Sequence, residues 1–205
     1  NSLIRNGEAN PSVNRLYQTL INLSPDSLFI SEASRISGVP IEEIVAYASI
    51  ESIGQVFAVG REGEIDRFQL HPKYLNDIYR CAMSQKNKLS DYIQENTSEE
   101  TLLEDLARDT KLNTAVAVNL MKYLRGQTET YYEYVLAYNR GLRRTLNLPL
   151  ETRRKLENPE RISERDKKRR VFRYYTDFLD AKKAFEQIKN KITQQIQHQS
   201  KQAFA

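Results

Sequence analysis

A single cysteine, Cys81, stands in the 205 residues, so no internal disulfide can form, and cysteine usage leaves the redox compartment open. The two histidines lie at unrelated spacings from it, which leaves no ligand set for a zinc ion; neither a metal nor another cofactor is expected. No run approaches the roughly 18 apolar residues of a membrane-spanning helix, so no transmembrane segment is expected. The opening NSLIRNGEAN lacks the basic-then-apolar layout of a signal peptide. It reads as a cytoplasmic chain, one that has lost its targeting segment, or a piece of something larger. There is no repeat of fixed period and no parallel-sheet pattern.

What is present is an ordinary globular composition, 40% hydrophobic and 28% charged, with its charge unevenly placed. Residues 1 to 149 carry 16 Lys and Arg against 19 Asp and Glu, whereas residues 150 to 205 carry 15 against 8. A segment of net charge +7 suits an anionic partner or forms a solvated helix face.

Helical periodicity dominates. SVNRLYQTLINL sets Val13, Leu16, Tyr17, Leu20 and Ile21 on one face, and Ser24-Pro25 ends it. ISEASRIS and PIEEIVAYASIES read as two helices parted by Gly38-Val39-Pro40, the second with Glu42 and Glu43 at its favourable N-terminal end. Glu51 then falls at the C-terminal end of that helix, where the dipole disfavours a carboxylate, so capping does not explain it. Residues 54 to 70, with three glycines among β-formers, read as irregular chain or a small hairpin. LHPKYLNDIYRCAM and residues 99 to 107 read as helices joined by the polar stretch SQKNKLSDYIQENTS. NTAVAVNLMKYLR, TETYYEYVLAYNRG and a long pattern from Ile162 with an apolar stripe complete the helices.

This order of pieces resembles the superfamily of goose-type lysozymes and soluble lytic transglycosylases. The likeness covers about residues 27 to 142. SEASRISGVPIEEIVAYASIES resembles the family's two helices ending in a Glu-Ser pair. FAVGREGEIDRFQLHP is similar to the segment running through a glycine-rich turn to a Gln and a Pro. YYEYVLAYNRG resembles the helix closing on Ala-Tyr-Asn-x-Gly. Where the family usually has Gly-Leu-Met-Gln, this chain has Asp66-Arg67-Phe68-Gln69, and the same stretch is also somewhat like that of phage-type N-acetylmuramidases. The resemblance implies a mainly α, lysozyme-like domain over residues 12 to 149, with residues 150 to 205 as a basic helical extension packed on it or reaching a partner.

It also implies cleavage of the MurNAc-GlcNAc β-1,4 bond of peptidoglycan. Such a reaction needs a carboxylic acid whose pKa is raised toward neutrality to protonate the leaving oxygen. Glu51, among apolar neighbours at a helix C-terminus, fits that acid. A transglycosylase needs no second carboxylate, whereas an inverting muramidase does; Glu62, Glu64 and Asp66 are the candidates, Asp66 foremost and Glu64 next, the alternative for Asp66 being a surface pair with Arg67 or Arg61. By the same resemblance Gln69 and Asn139 line the saccharide cleft, Ser52 bonds the substrate or a backbone group beside the acid, and Tyr138 bonds Glu51 or shapes the sugar subsite. The expected partners are glycan strands and, through the basic C-terminal helix, an envelope-machine or virion protein; no nucleic-acid motif accompanies the basic run. The implied location is the periplasm or cell envelope, or a virion. An inactive assembly protein that keeps the fold is the rival from another class.

Overall fold

The structure, a computed structural model, describes residues 11–203 except 57, 61 and 62, and omits the side chains of 11, 12, 193 and 195–203. It is mainly helical. In chain order the helices are α1 (Pro11–Leu23), α2 (Ser27–Ser37), α3 (Ile41–Ser52), α4 (Leu75–Met83), α5 (Lys88–Asn96), α6 (Leu102–Arg108), α7 (Thr110–Gly126) and α8 (Tyr131–Arg140). The short α9 (Leu142–Leu146) and α10 (Leu150–Leu156) lead to the long α11 (Arg170–Ala203). Among the described residues no helix is long and apolar enough to cross a membrane.

Local chemistry sets the ends. Gly38 closes α2 at φ +74°, and Glu42 and Glu43 sit in the first turn of α3. Asp109 caps α7 by accepting from the amides of Lys111 and Leu112, and Thr130 with Glu133 forms a reciprocal capping box on α8. The stretch expected to be a polar connection, residues 84 to 98, contains α5 instead. A capping box between Asn87 and Ser90 starts it, and Leu89 and Ile93 anchor it in the core. The long C-terminal helix begins at Arg170 rather than near Ile162. Ahead of it, Asp166 accepts from Ser163 and Lys155 and holds residues 163 to 168 in a compact turn. The side chain of Ile196, the last residue of the predicted apolar stripe, lies outside the described residues.

Two buried helices organise the molecule. The small residues of α7 let α2, α4, α5, α6 and α8 approach it closely, and its residues 112 to 121 are all buried. The helix α3 is held by α1, α2 and α11, and its contact with α11 is the most extensive between any two elements. One cluster joins both parts: Phe172, Tyr175, Phe178, Ala181 and Ala184 of α11 share a core with Leu16, Tyr47 and Leu136. From Leu156 to Ala184 the basic segment is therefore packed on the helices before it and shares their core. On α1 the expected Val13, Leu16 and Leu20 do meet the core, joined by Thr19 and Leu23, while the expected Tyr17 and Ile21 are 56% and 49% exposed. Between α3 and α4 the described residues are irregular, the first of the two expected alternatives, with isolated antiparallel bridges of Val59 with Ile65 and Ile65 with Leu70.

Candidate active site

Glu51 lies in the last turn of α3, and the sequence around it explains why the helix stops there. Ile53 turns into the left-handed region at φ 58°, its amide bonding the Ser49 carbonyl, and the Gly54 amide reaches back to the Ala48 carbonyl at 2.9 Å. A Cβ at Gly54, whose φ is +68°, would press on Leu23 and Thr19 at 3.2 Å, so both the backbone and the packing favour glycine there. The Arg15 guanidinium donates to the Ser49 and Ile50 carbonyls at 2.8 and 2.9 Å, which also places a cation at the negative end of α3. A β-branched residue at positive φ carries strain, and Asp66 (φ 59°) and Gln69 (φ 48°) share that conformation in the same segment. Such strain gathers at functional sites.

Beneath Glu51 the surroundings are aromatic. Tyr47, one turn earlier on α3, is fully buried, with the rings of Tyr138 and Phe178 each at 4.6 Å. Burial against this wall pushes the Glu51 carboxyl up from 4.5 to about 7, and the nearby Glu64 charge pushes the same way. Opposing it are a hydrogen bond from the Tyr174 hydroxyl to Oε1 at 2.5 Å and the positive charges of Arg170 and Arg15. Burial wins. Glu51 keeps partial exposure, so the site combines desolvation with access. Tyr174 comes from α11, 123 residues along the chain, and no local signal at either residue announces the pair.

The segment facing Glu51 is built around Gly60. A Cβ there would fall 2.1 Å from a Glu64 carboxylate oxygen and 2.5 Å from the Gln69 Oε1, so these two polar groups converge over a bare backbone. The Gln69 amide nitrogen donates to the carbonyls of Asp66 and Ala58 at 2.6 and 3.3 Å, which leaves its oxygen as the end directed to Gly60. Residues 66 to 69 form a tight turn closed by paired bonds between Ile65 and Leu70. Ser52 donates to the Arg67 carbonyl at 2.8 Å and Tyr138 to the Phe68 carbonyl at 3.1 Å, so both residues hold this turn in place. Tyr138 also lies close enough to Glu51 for the carboxylate charge to add to burial in raising its phenol well above the usual range. Asn139, the next residue on α8, is half-buried.

Asp66 and Arg67 do not form a surface pair. Both are 0% exposed. Arg67 runs inward to the Asp26 carboxylate at 2.8 Å, which also accepts from Thr110 at 2.9 Å, and so ties the turn to the starts of α2 and α7. Full burial takes Asp66 away from solvent water, and Glu64 is the better placed second carboxylate; Glu62 lies outside the described residues. His71 accepts from the Lys73 amide and caps the short turn before α4. No protein-family model matches the sequence, and no curated protein matches it.

The arrangement can deliver a proton near neutral pH from a carboxyl held on one oxygen and within reach of the charge of a second carboxylate, Glu64. Missing from the sequence reading were Tyr174, Arg15 and Arg170 as neighbours of the acid. Arg170 and Tyr174 stood out there only as members of a basic run and an apolar stripe.

Proposed function

We propose that the protein has a lysozyme-like fold and cleaves the glycan strands of peptidoglycan as a lytic transglycosylase, with Glu51 as acid and then base. The observation that carries this reading is the setting of Glu51: a carboxyl raised to about 7, hydrogen-bonded on one oxygen, at the end of a buried helix and facing a strained turn that holds a carboxamide. Two further features support it. The position where the resemblance sets a glycine, Asp66, has φ 59°, a backbone that glycine takes easily and aspartate tolerates better than most residues. The serine of the Glu-Ser pair and the tyrosine of the Ala-Tyr-Asn segment both fasten the turn before the Gln.

In this mechanism Glu51 gives its proton to the glycosidic oxygen as the bond from the MurNAc C1 breaks. The muramoyl acetamido oxygen supports the cation, the sugar's 6-hydroxyl attacks C1, and the Glu51 carboxylate takes its proton. The exposed Arg165, Lys168, Arg169, Arg170 and Arg173 then face an anionic wall of lactyl and peptide carboxylates, in the periplasm or at the cell envelope, or from a virion.

A second reading, hydrolysis, is favoured by one observation: the Glu64 charge acts on Glu51, as a water-activating base on the same site would. Mass spectrometry of digested peptidoglycan separates the two. The expected products are 1,6-anhydromuropeptides, lost by at least about a thousandfold in Glu51→Gln. Reducing ends abolished by Glu64→Gln mean a muramidase, and no release by the wild type leaves the assembly role.

A further inference from the structure

We propose that Tyr174 is a positioning residue for Glu51: its hydroxyl holds Oε1 and fixes Oε2 as the oxygen that meets the glycosidic bond. This rests on Glu51 being the acid of the reaction above. The contact is a 2.5 Å hydrogen bond from a half-buried phenol on α11, which lies beyond the part of the chain that carries the family resemblance.

Its geometry is set by the core rather than by the contact itself. On α11, Tyr174 meets Glu51, and Lys182 approaches Glu43 at 3.9 Å and the Tyr131 hydroxyl at 3.4 Å. Each pair is eight positions apart on its own helix, about 12 Å of helix rise, so α11 runs antiparallel to α3 with matched contacts at both ends. Between them Phe178 inserts against Tyr47 and Tyr131. The register that brings Tyr174 to the acid is therefore locked by buried rings. Tyr138 cannot take over, because its hydroxyl is committed to the Phe68 carbonyl.

The groups facing Glu51 are Tyr174 and Arg170 from α11, Arg15 from α1, Tyr138 from α8 and Glu64 from the segment after α3. Of these, Tyr174 supplies the direct hydrogen bond to the carboxylate. Burial and the carboxylate charge keep its phenol protonated, so it remains a donor at every working pH. A donor on Oε1 favours the ionised carboxylate, which eases release of the proton from Oε2 and holds the carboxylate still for the return step.

The test is Tyr174→Phe, which keeps the ring in the core. Peptidoglycan turnover should fall about tenfold in kcat with KM within about twofold, and the alkaline limb of the pH-rate profile should move up by about one pH unit. The 13C titration midpoint of the Glu51 carboxyl should rise with it, while Lys182→Met, at the other end of the same helix pair, leaves that midpoint in place. An unchanged midpoint in Tyr174→Phe, or an equal change in Lys182→Met, overturns the proposal. If the wild type does not cleave glycan, the reading of the reaction fails, and the titration still decides whether Tyr174 governs Glu51.

Discussion

Glu43 and Glu51 lie eight residues apart on α3, and each accepts a hydrogen bond from a tyrosine on a neighbouring helix, yet the two ends of the helix use a carboxylate for opposite purposes. Glu43 is 1% exposed, in the first turn, where the helix dipole favours negative charge. Arg125 and Lys182 approach it at 3.5 and 3.9 Å, and Tyr131 donates at 3.2 Å. That charge is compensated, and it ties α7, α8 and α11 to α3. Glu51 sits at the end the dipole disfavours. Its cations act on it at a distance, a second carboxylate opposes them, and burial decides the outcome. The helix thus carries a charged anchor at one end and a proton donor at the other, and the difference comes from position along the dipole and from the number of close cations.

Breaking the anchor should have the largest effect on stability. Glu43→Ala leaves Tyr131, Lys182 and Arg125 without their common acceptor and should cost about 3 kcal/mol in chemical denaturation at pH 7. A change near zero would make the two ends alike.

The acid should respond with the opposite sign. Because the folded pKa of Glu51 stands near 7 and its ordinary value is 4.5, ionising it in the folded state is unfavourable. The contribution of Glu51 to stability is therefore lost as pH rises from about 4.5 to about 7 and is then constant. Glu51→Gln escapes that loss. It should be more stable than wild type by about 2 kcal/mol at pH 8, discounted for the carboxyl's partial exposure, with the gap closing by pH 4. Melting curves at the two pH values check this, and a variant less stable at pH 8 contradicts it.

The smallest effects sharpen the same picture. Arg170→Gln should raise the Glu51 midpoint and Glu64→Gln should lower it, each by less than about one unit, in carboxyl NMR titrations. Shifts of the same sign would mean that these charges do not face the acid as described.

Much of this was legible in the sequence, and the remainder has a common cause. Periodicity and caps located most helices, and the dipole argument singled out Glu51 before any packing was known. The helix α5 was obscured because Leu89 and Ile93 are its only fully buried apolar anchors in an otherwise polar stretch, although Asn87 and Ser90 were a readable cap. The burial of Asp66 and Arg67 was hidden because charged neighbours in a glycine-rich stretch read as surface, and the carboxylate answering Arg67, Asp26, lies 41 residues away. Tyr174 on Glu51 spans 123 residues and depends on the register of two helices, which no local pattern records.

The most direct test of the account is the 13C titration of the Glu51 side-chain carboxyl in the full chain, assigned by its disappearance in Glu51→Gln. The expected midpoint is near 7, so that about half of the molecules carry the proton at neutral pH. A midpoint near the ordinary 4.5 would mean a solvated, ionised carboxylate, and would contradict the role of Glu51 as the acid.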